Sequence, residues 1–273
     1  MVQQTAYDSF LLLGDSITQG SFDLEYRGFG AQLAQSYQRR LDIVNRGYSG
    51  YTSEQGIHLL PQFLPRAQQS ASTAPKIQFL TIFYGANDAC LSPSLQHVDL
   101  DRYEQNIRTL IDMVHSPNSP TYSPETRIIL ICPGPVEESL WARRRKGQGR
   151  PMDRDKDVTK QYAALCLKVG QEYQAKNGQQ ASPQHHQVDV IDTWGLITAQ
   201  VENGQQALTD YLRDGVHFTS EANDLVFKHI MEIIKRRYPE WDPEKMPMHA
   251  PLYADLDLEH PETDLLVCAN KVN

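Results

Sequence analysis

Short apolar runs that end at a glycine, a proline or a polar turn recur along the chain and alternate with longer stretches of helical periodicity. Such runs are typical of strands buried in a parallel sheet. They are Phe10–Leu13, the very short Ile43-Val44, Ile77–Tyr84, Ile128–Cys132 and Val188–Ile191. Strands that alternate with helices predict an α/β fold of three layers, α/β/α, in which the middle layer is a parallel sheet of about five strands.

The segments between these runs predict the outer helices. Apolar residues recur at helical spacing over Phe29–Arg40, Tyr103–Val114 and Val158–Tyr173. Thr52 is a good start signal for one further helix, and Ser220 is a candidate N-cap for the last one. These helices are expected to cover both faces of the sheet.

Two polar, turn-rich segments, Ser116–Glu125 and Val136–Asp157, are predicted to be loops. The basic run Arg143–Lys146 lies in the second, where a solvated loop explains it better than a phosphate site does. We assign residues 1–238 to one domain and residues 239–273 to a proline-punctuated tail. The apolar groups of that tail cannot bury one another, so we expect it to pack on the domain or on a second subunit. They are Trp241, Leu252, Tyr253, Leu256 and Leu265.

Charge and cysteine content exclude several classes of function. The net charge of −8 and the absence of a dominant basic patch argue against a nucleic-acid partner. The four cysteines have no CxxC spacing, which argues against a zinc knuckle or a redox pair, and we expect free buried thiols. His185 and His186 lack ligand partners at metal-binding spacing, so no metal is expected. No apolar stretch is long enough to span a membrane and no secretory signal is visible, so we expect a cytoplasmic protein without a membrane span.

Polar residues follow four of the predicted elements. Ser16 comes just after the first strand, Gly50 after the second, and Asn87 after the third, while Asp214 and His217 follow the last strand after a loop. Ligands of open parallel sheets bind beyond the carboxyl ends of the strands. We therefore expect these five residues to meet at one edge of the sheet.

This set has the chemistry of a serine nucleophile. A serine hydroxyl needs a base to take its proton, and His217 can be that base. Asp214, three residues earlier, can hold the imidazole tautomer and stabilise the imidazolium. Taken alone, Ser16 would be interpreted as a helix cap, and Asp192 or Asp210 would compete with Asp214.

A tetrahedral intermediate also needs hydrogen-bond donors for its oxyanion. Ser16 and Gly50 can offer backbone N–H groups, and Asn87 can offer its side-chain amide. Ordinary turn roles are the alternative for Gly50 and Asn87. Asp15 and Asp88 are predicted to organise their loops by hydrogen bonds and to support the site without taking part in catalysis.

The four blocks together resemble GDSL (SGNH) hydrolases. The matching stretches are GDSIT at 14–18, NRGYSGYTS at 45–53, GAND at 85–88 and DGVH at 214–217. Their order and relative spacing agree with that family across residues 10–220. One residue departs from the family pattern, alanine at position 86, where the third block usually has glycine. Within it, the stretches FLLLGDSITQGSF, GYSGYTS, YGANDAC and DGVHFT most resemble the isoamyl acetate-hydrolysing esterase subgroup.

The resemblance implies a flavodoxin-like SGNH fold and a cofactor-free esterase that forms an acyl-serine intermediate. Its substrate would be a small ester, with a short acyl group such as acetate, and a homodimer would be plausible. Two alternatives within hydrolases stay open, a carbohydrate acetyl esterase and a lysophospholipase-like lipase. A non-catalytic binding module on the same fold is a third, although the presence of every triad residue argues against it.

Overall fold

The fold is taken from a computed structural model of the 273-residue chain, which describes residues 7–65, 75–176, 187–204, 206–261 and 263. His185, His186, Leu265 and Cys268, on which the sequence makes predictions, lie outside those ranges. Cys90, Cys132 and Cys166 are buried free thiols, as predicted.

Five strands form one parallel sheet, and this confirms the predicted fold class. Their order across the sheet is β2-β1-β3-β4-β5. The strands are β1 (Ser9–Gly14), β2 (Asp42–Gly47), β3 (Ile77–Phe83), β4 (Arg127–Ile131) and β5 (Val188–Ile191). The sheet therefore places the ends of β1, β2 and β3 side by side at one edge.

Helices cover both faces of this sheet. They are α1 (Ser16–Gln19), α2 (Phe29–Ser36), α3 (Ser53–Leu59), α4 (Leu100–His115), α5 (Glu138–Gly147), α6 (Lys156–Lys176), α7 (Thr193–Glu202), α8 (Leu208–Tyr211) and α9 (Ser220–Arg237). Strand β1 shows why two cores form. Its residues Phe10 and Leu12 pack with α2 and α9 on one face, while Leu11 and Leu13 pack with α4 and α6 on the other. This alternation is the period-two geometry of a strand buried on both faces.

Several predicted elements need correction. Helix α5 lies within 136–157, which was predicted to be a loop, and α7 and α8 were not predicted. The side chain of Glu137 caps α5 by accepting from the Leu140 N–H at 2.6 Å. Its only buried residue is Trp141, so no apolar stripe marks this helix in the sequence. Ser220, the predicted N-cap of the last helix, is instead the first residue of α9. The N-cap is Thr219, whose backbone is extended and whose side chain makes no capping hydrogen bond.

The described part of the tail begins on the body of the domain and ends more exposed. The carbonyl of Trp241 accepts from the Tyr37 hydroxyl at 2.9 Å, and the His249 N–H donates to the Arg39 carbonyl at 2.8 Å. Tyr253, by contrast, is 73% exposed. No helix in the described ranges has the length and apolar character needed to cross a bilayer.

Candidate active site

The turn after β1 holds Ser16 at the start of α1. Asp15 is the N-cap residue, and its carboxylate accepts from the Ile17 N–H at 2.8 Å. Gly14 has no room for a side chain, because a Cβ there would lie 2.5 Å from the carbonyl oxygen of Phe83. As the first residue of a helix, Ser16 has a backbone N–H without an intrahelical acceptor. The tight strand-to-helix turn thus leaves both the hydroxyl and the N–H of Ser16 at the sheet edge.

Three of the predicted residues are joined by hydrogen bonds. Nε2 of His217 lies 2.9 Å from Oγ of Ser16, and Nδ1 of His217 lies 2.7 Å from Oδ2 of Asp214. The other oxygen of Asp214 accepts from the backbone N–H groups of His217, at 2.9 Å, and Val216, at 3.1 Å. This geometry matches a nucleophile, a base and an orienting carboxylate.

The carboxylate of Asp214 is kept ionised by its surroundings. Burial alone would raise its pKa, but hydrogen bonds from the His217 ring and from two backbone N–H groups, together with the charge of His217, hold the pKa of Asp214 below its usual range. Arg144 of α5 also donates to Asp214. An ionised Asp214 is what a neighbouring imidazolium needs for stabilisation.

The predicted oxyanion residues lie on loops that hydrogen bonds tie to the Ser16 turn. The Tyr48 N–H donates to the Gly14 carbonyl at 2.9 Å, and the Asn87 amide donates to the Tyr51 carbonyl at 2.8 Å. Gly50 lies between those two tyrosines with a φ of +83°, a left-handed conformation that favours glycine. The structure therefore brings the Ser16, Gly50 and Asn87 loops together.

Asp15 and Asp88 support these loops from below, and both are buried. Asp88 accepts from the backbone N–H of Ser53, at 3.0 Å, and from its hydroxyl. Burial raises the pKa of Asp15 to about 7, with a further upward contribution from Asp88, against the lowering effects of the Ile17 N–H and Arg154. Burial likewise raises the pKa of Asp88 to about 6, against the hydrogen bonds from Ser53.

A small open cleft lies beside the serine. It is lined by Ser16, Ile17, Gly20, Asp23, Tyr26, Arg213, His217, Phe218 and Asn223. Arg213 pairs with Asp23 at 3.4 Å and stacks 4.4 Å from the ring centroid of Tyr26. Among the described residues, no group of three or more His, Cys, Asp and Glu side chains is arranged to hold a metal ion.

Sequence reasoning missed three residues of this site, all in the segment predicted as a loop. Arg144 binds Asp214, Trp141 lies 6.4 Å from the His217 ring between centroids, and Arg154 donates to the Asn87 carbonyl oxygen at 2.9 Å. The one available signal was the basic run that contains Arg144, which was interpreted as solvated. Arg143, Arg144 and Lys146 of that run are exposed, as a solvated run predicts, although Arg144 also pairs with Asp214. Only Arg145 is largely removed from solvent, and it pairs with Asp153.

The chain is similar to known proteins over most of its length. Residues 12–225 match the model of the GDSL-like Lipase/Acylhydrolase family. An isoamyl acetate-hydrolyzing esterase 1 homolog from Bos taurus is 33% identical over 94% of this chain and 91% of its own length. The isoamyl acetate-hydrolyzing esterase of Saccharomyces cerevisiae is 28% identical over 88% of this chain and 91% of its own length.

Solved structures show the same fold. A lipase/acylhydrolase from Enterococcus faecalis superimposes with a TM-score of 0.56 at 22% identity, covering 84% of this chain and 96% of that one. The motif blocks, the sheet order and the family match agree with one another. The chain belongs to the GDSL-like lipase/acylhydrolase family and is a serine esterase.

Proposed function

We propose that Ser16 is the nucleophile of this esterase, His217 its general base and Asp214 the residue that orients the histidine. The observation that carries the proposal is the continuous set of hydrogen bonds from Ser16 Oγ through His217 to Asp214. A binding module without catalytic function has no need of this arrangement.

Each step follows from the positions of these groups. The Ser16 oxygen attacks the ester carbonyl carbon while its proton passes to Nε2 of His217. The tetrahedral oxyanion is bound by the backbone N–H groups of Ser16 and Gly50 and by the Asn87 amide. Collapse of the intermediate breaks the bond to the alcohol oxygen, which leaves with the proton from His217. Water, activated by the same histidine, then releases the acid and restores Ser16.

We propose short-chain acyl esters, acetates in particular, as the substrates. The similarity to isoamyl acetate-hydrolyzing relatives supports this. A small pocket gains about 0.8 kcal/mol for each methylene it buries and loses that gain once the chain no longer fits.

Two measurements test these assignments. A fluorophosphonate reagent should label Ser16, and peptide mapping that finds the label on another serine would overturn the nucleophile. With p-nitrophenyl esters of two to twelve acyl carbons, kcat/KM should peak between acetyl and butyryl. A maximum at eight or more carbons would contradict the short-acyl proposal without touching the nucleophile.

A homodimer and a cytoplasmic location stay predictions of the sequence. For the dimer we expect the tail to contribute, because Leu252 and Tyr253 remain exposed on it. Light scattering of the full chain and of a chain ending at residue 238 tests this. The same monomeric mass for both would contradict a tail-dependent dimer.

A further inference from the structure

Arg154 is a cation almost removed from solvent, with 5% of its surface exposed. It follows α5 in the chain and contacts the loop that comes after β3. Its guanidinium donates to the carbonyl of Ala86 and, at 2.9 Å, to Oδ1 of Asn87. Its Nε has no acceptor among the described residues. A buried charge that is incompletely satisfied costs stability, so its presence here calls for a reason other than folding.

The contact with Arg154 fixes which way the Asn87 amide points. Arginine has only donors, so it can bind the oxygen of that amide and cannot bind the nitrogen. The Asn87 nitrogen then faces the Tyr51 carbonyl, to which one of its N–H bonds donates at 2.8 Å. A flipped amide would set donor against donor at Arg154 and acceptor against acceptor at Tyr51. Two contacts therefore select the same orientation and leave the second N–H of the amide for a ligand.

Arg154 is itself held by the segment that contains α5. Its guanidinium carbon lies 4.7 Å from the ring centroid of Trp141. The indole N–H of Trp141 donates to Asp153 at 2.8 Å, and Arg145 pairs with the other Asp153 oxygen at 2.9 Å. A guanidinium stacked on an aromatic ring keeps its plane and its donors in one direction. Arg154 thus binds the amide from a constrained position.

We propose that Arg154 is a positioning residue of the oxyanion hole. It holds the Asn87 amide so that the free N–H of that amide points towards the developing oxyanion. The proposal rests on the proposed function, in which Asn87 is an oxyanion donor. A preorganised donor pays no reorganisation cost in the transition state, whereas an amide that can turn away loses that advantage. Arg154 acts through Asn87 and needs no contact with substrate.

The test is a double-mutant cycle between the two residues, with kcat and KM for p-nitrophenyl acetate measured for each variant. Arg154→Met should lower kcat by roughly 10–100-fold and change KM by less than about twofold, because only transition-state binding is lost. In an Asn87→Ala background the same substitution should cost less than about threefold, because no amide remains to be oriented. Arg143→Met, at an exposed position of α5, is the matched control and should leave kcat unchanged.

The outcomes separate the proposals. Equal losses with Asn87 present and in the Asn87→Ala background, or an unchanged kcat in folded Arg154→Met, would overturn the positioning role. An Asn87→Ala variant with unchanged kcat would overturn the oxyanion role of Asn87 itself. If Arg154→Met does not fold, Arg154→Lys replaces it in the test. Lysine keeps the positive charge but has one compact ammonium in place of the planar guanidinium that can donate to two acceptors at once. It should then show the same coupling to Asn87 with a smaller loss of kcat.

Discussion

The two sides of the proposed catalytic cleft are built in different ways. Ser16, Gly50 and Asn87 lie on short turns at the ends of adjacent strands, supported from below by buried carboxylates. Asp214 and His217 lie far along the chain and are supported by α5, whose Arg144 side chain is 42% exposed. The nucleophile side, which carries Ser16, therefore follows from the sheet itself. The base side depends on a helix that buries one residue.

The largest expected effect comes from cutting the hydrogen bond that joins the two sides. His217→Ala should lower kcat by about 10⁴-fold or more, because Ser16 loses its base and the leaving alcohol loses its acid. Steady-state kinetics with p-nitrophenyl acetate measure it. His58→Ala, at an exposed position on α3, is the control. A loss of less than about a hundredfold in a folded variant would mean that the base lies elsewhere.

On the nucleophile side, Asn87→Ala should lower kcat by roughly 10²–10³-fold, the usual effect of losing one oxyanion donor. KM should change little, because the interaction forms in the transition state. The exposed Asn203 gives a matched Asn→Ala control. A drop below about fivefold at unchanged melting temperature would assign Asn87 a structural role only.

The buried carboxylates of the nucleophile side predict a pH-dependent stability. The pKa of Asp15 is raised to about 7 from an ordinary 3.8, so the folded state holds a proton that the unfolded state has already lost. This contribution is fully present in acid, falls as pH rises from about 4 to about 7, and is flat above. Asp15→Asn keeps the acceptor for Ile17 and removes the titration.

Urea unfolding of the wild type and of Asp15→Asn at pH 5 and pH 8 measures this difference. The wild type should lose more stability than the variant between the two values. Asp101→Asn, at an exposed site on α4, should follow the wild type. Parallel curves for the wild type and Asp15→Asn would show that Asp15 is ionised throughout.

The smallest effect is expected on the base side. Arg144→Ala should lower kcat/KM by about two- to fivefold, because a half-exposed ion pair contributes roughly 0.2–1 kcal/mol and His217 keeps Asp214 in place without it. The loss should shrink at high salt, which screens the pair. Arg143→Ala is the control. A loss above about a hundredfold would make α5 as important to catalysis as the strand-end turns.

The same difference explains what the sequence could predict. The β1 run ends at Gly14 and the third run ends near Asn87, so sheet topology alone brings those positions together. Spacing was enough for Asp214 and His217, because three residues bring both onto one turn. Local sequence pattern and the rule for parallel sheets are enough to predict these positions.

Arg144 and Arg154 could not be predicted in that way. Each contacts a residue at least 67 positions away, and each sits in a segment without periodic apolar residues. Helix α5 is stabilised by its Glu137 cap and by the packing of Trp141, neither of which gives a helical apolar pattern. Tertiary contact decides such a segment, and single-sequence patterns do not report it.

Gly215 has a consequence for recombining this enzyme with its relatives. Its φ is +98°, and a Cβ there would lie 2.4 Å from the Glu137 carbonyl oxygen and 2.6 Å from the Trp141 nitrogen. Its own carbonyl accepts from the Glu137 N–H at 2.9 Å. The backbone of the turn between Asp214 and His217 is therefore in close contact with the backbone at the start of α5. A chimera that takes one of these two segments from a relative must take the other as well. The two segments form one structural unit although they lie far apart in the chain.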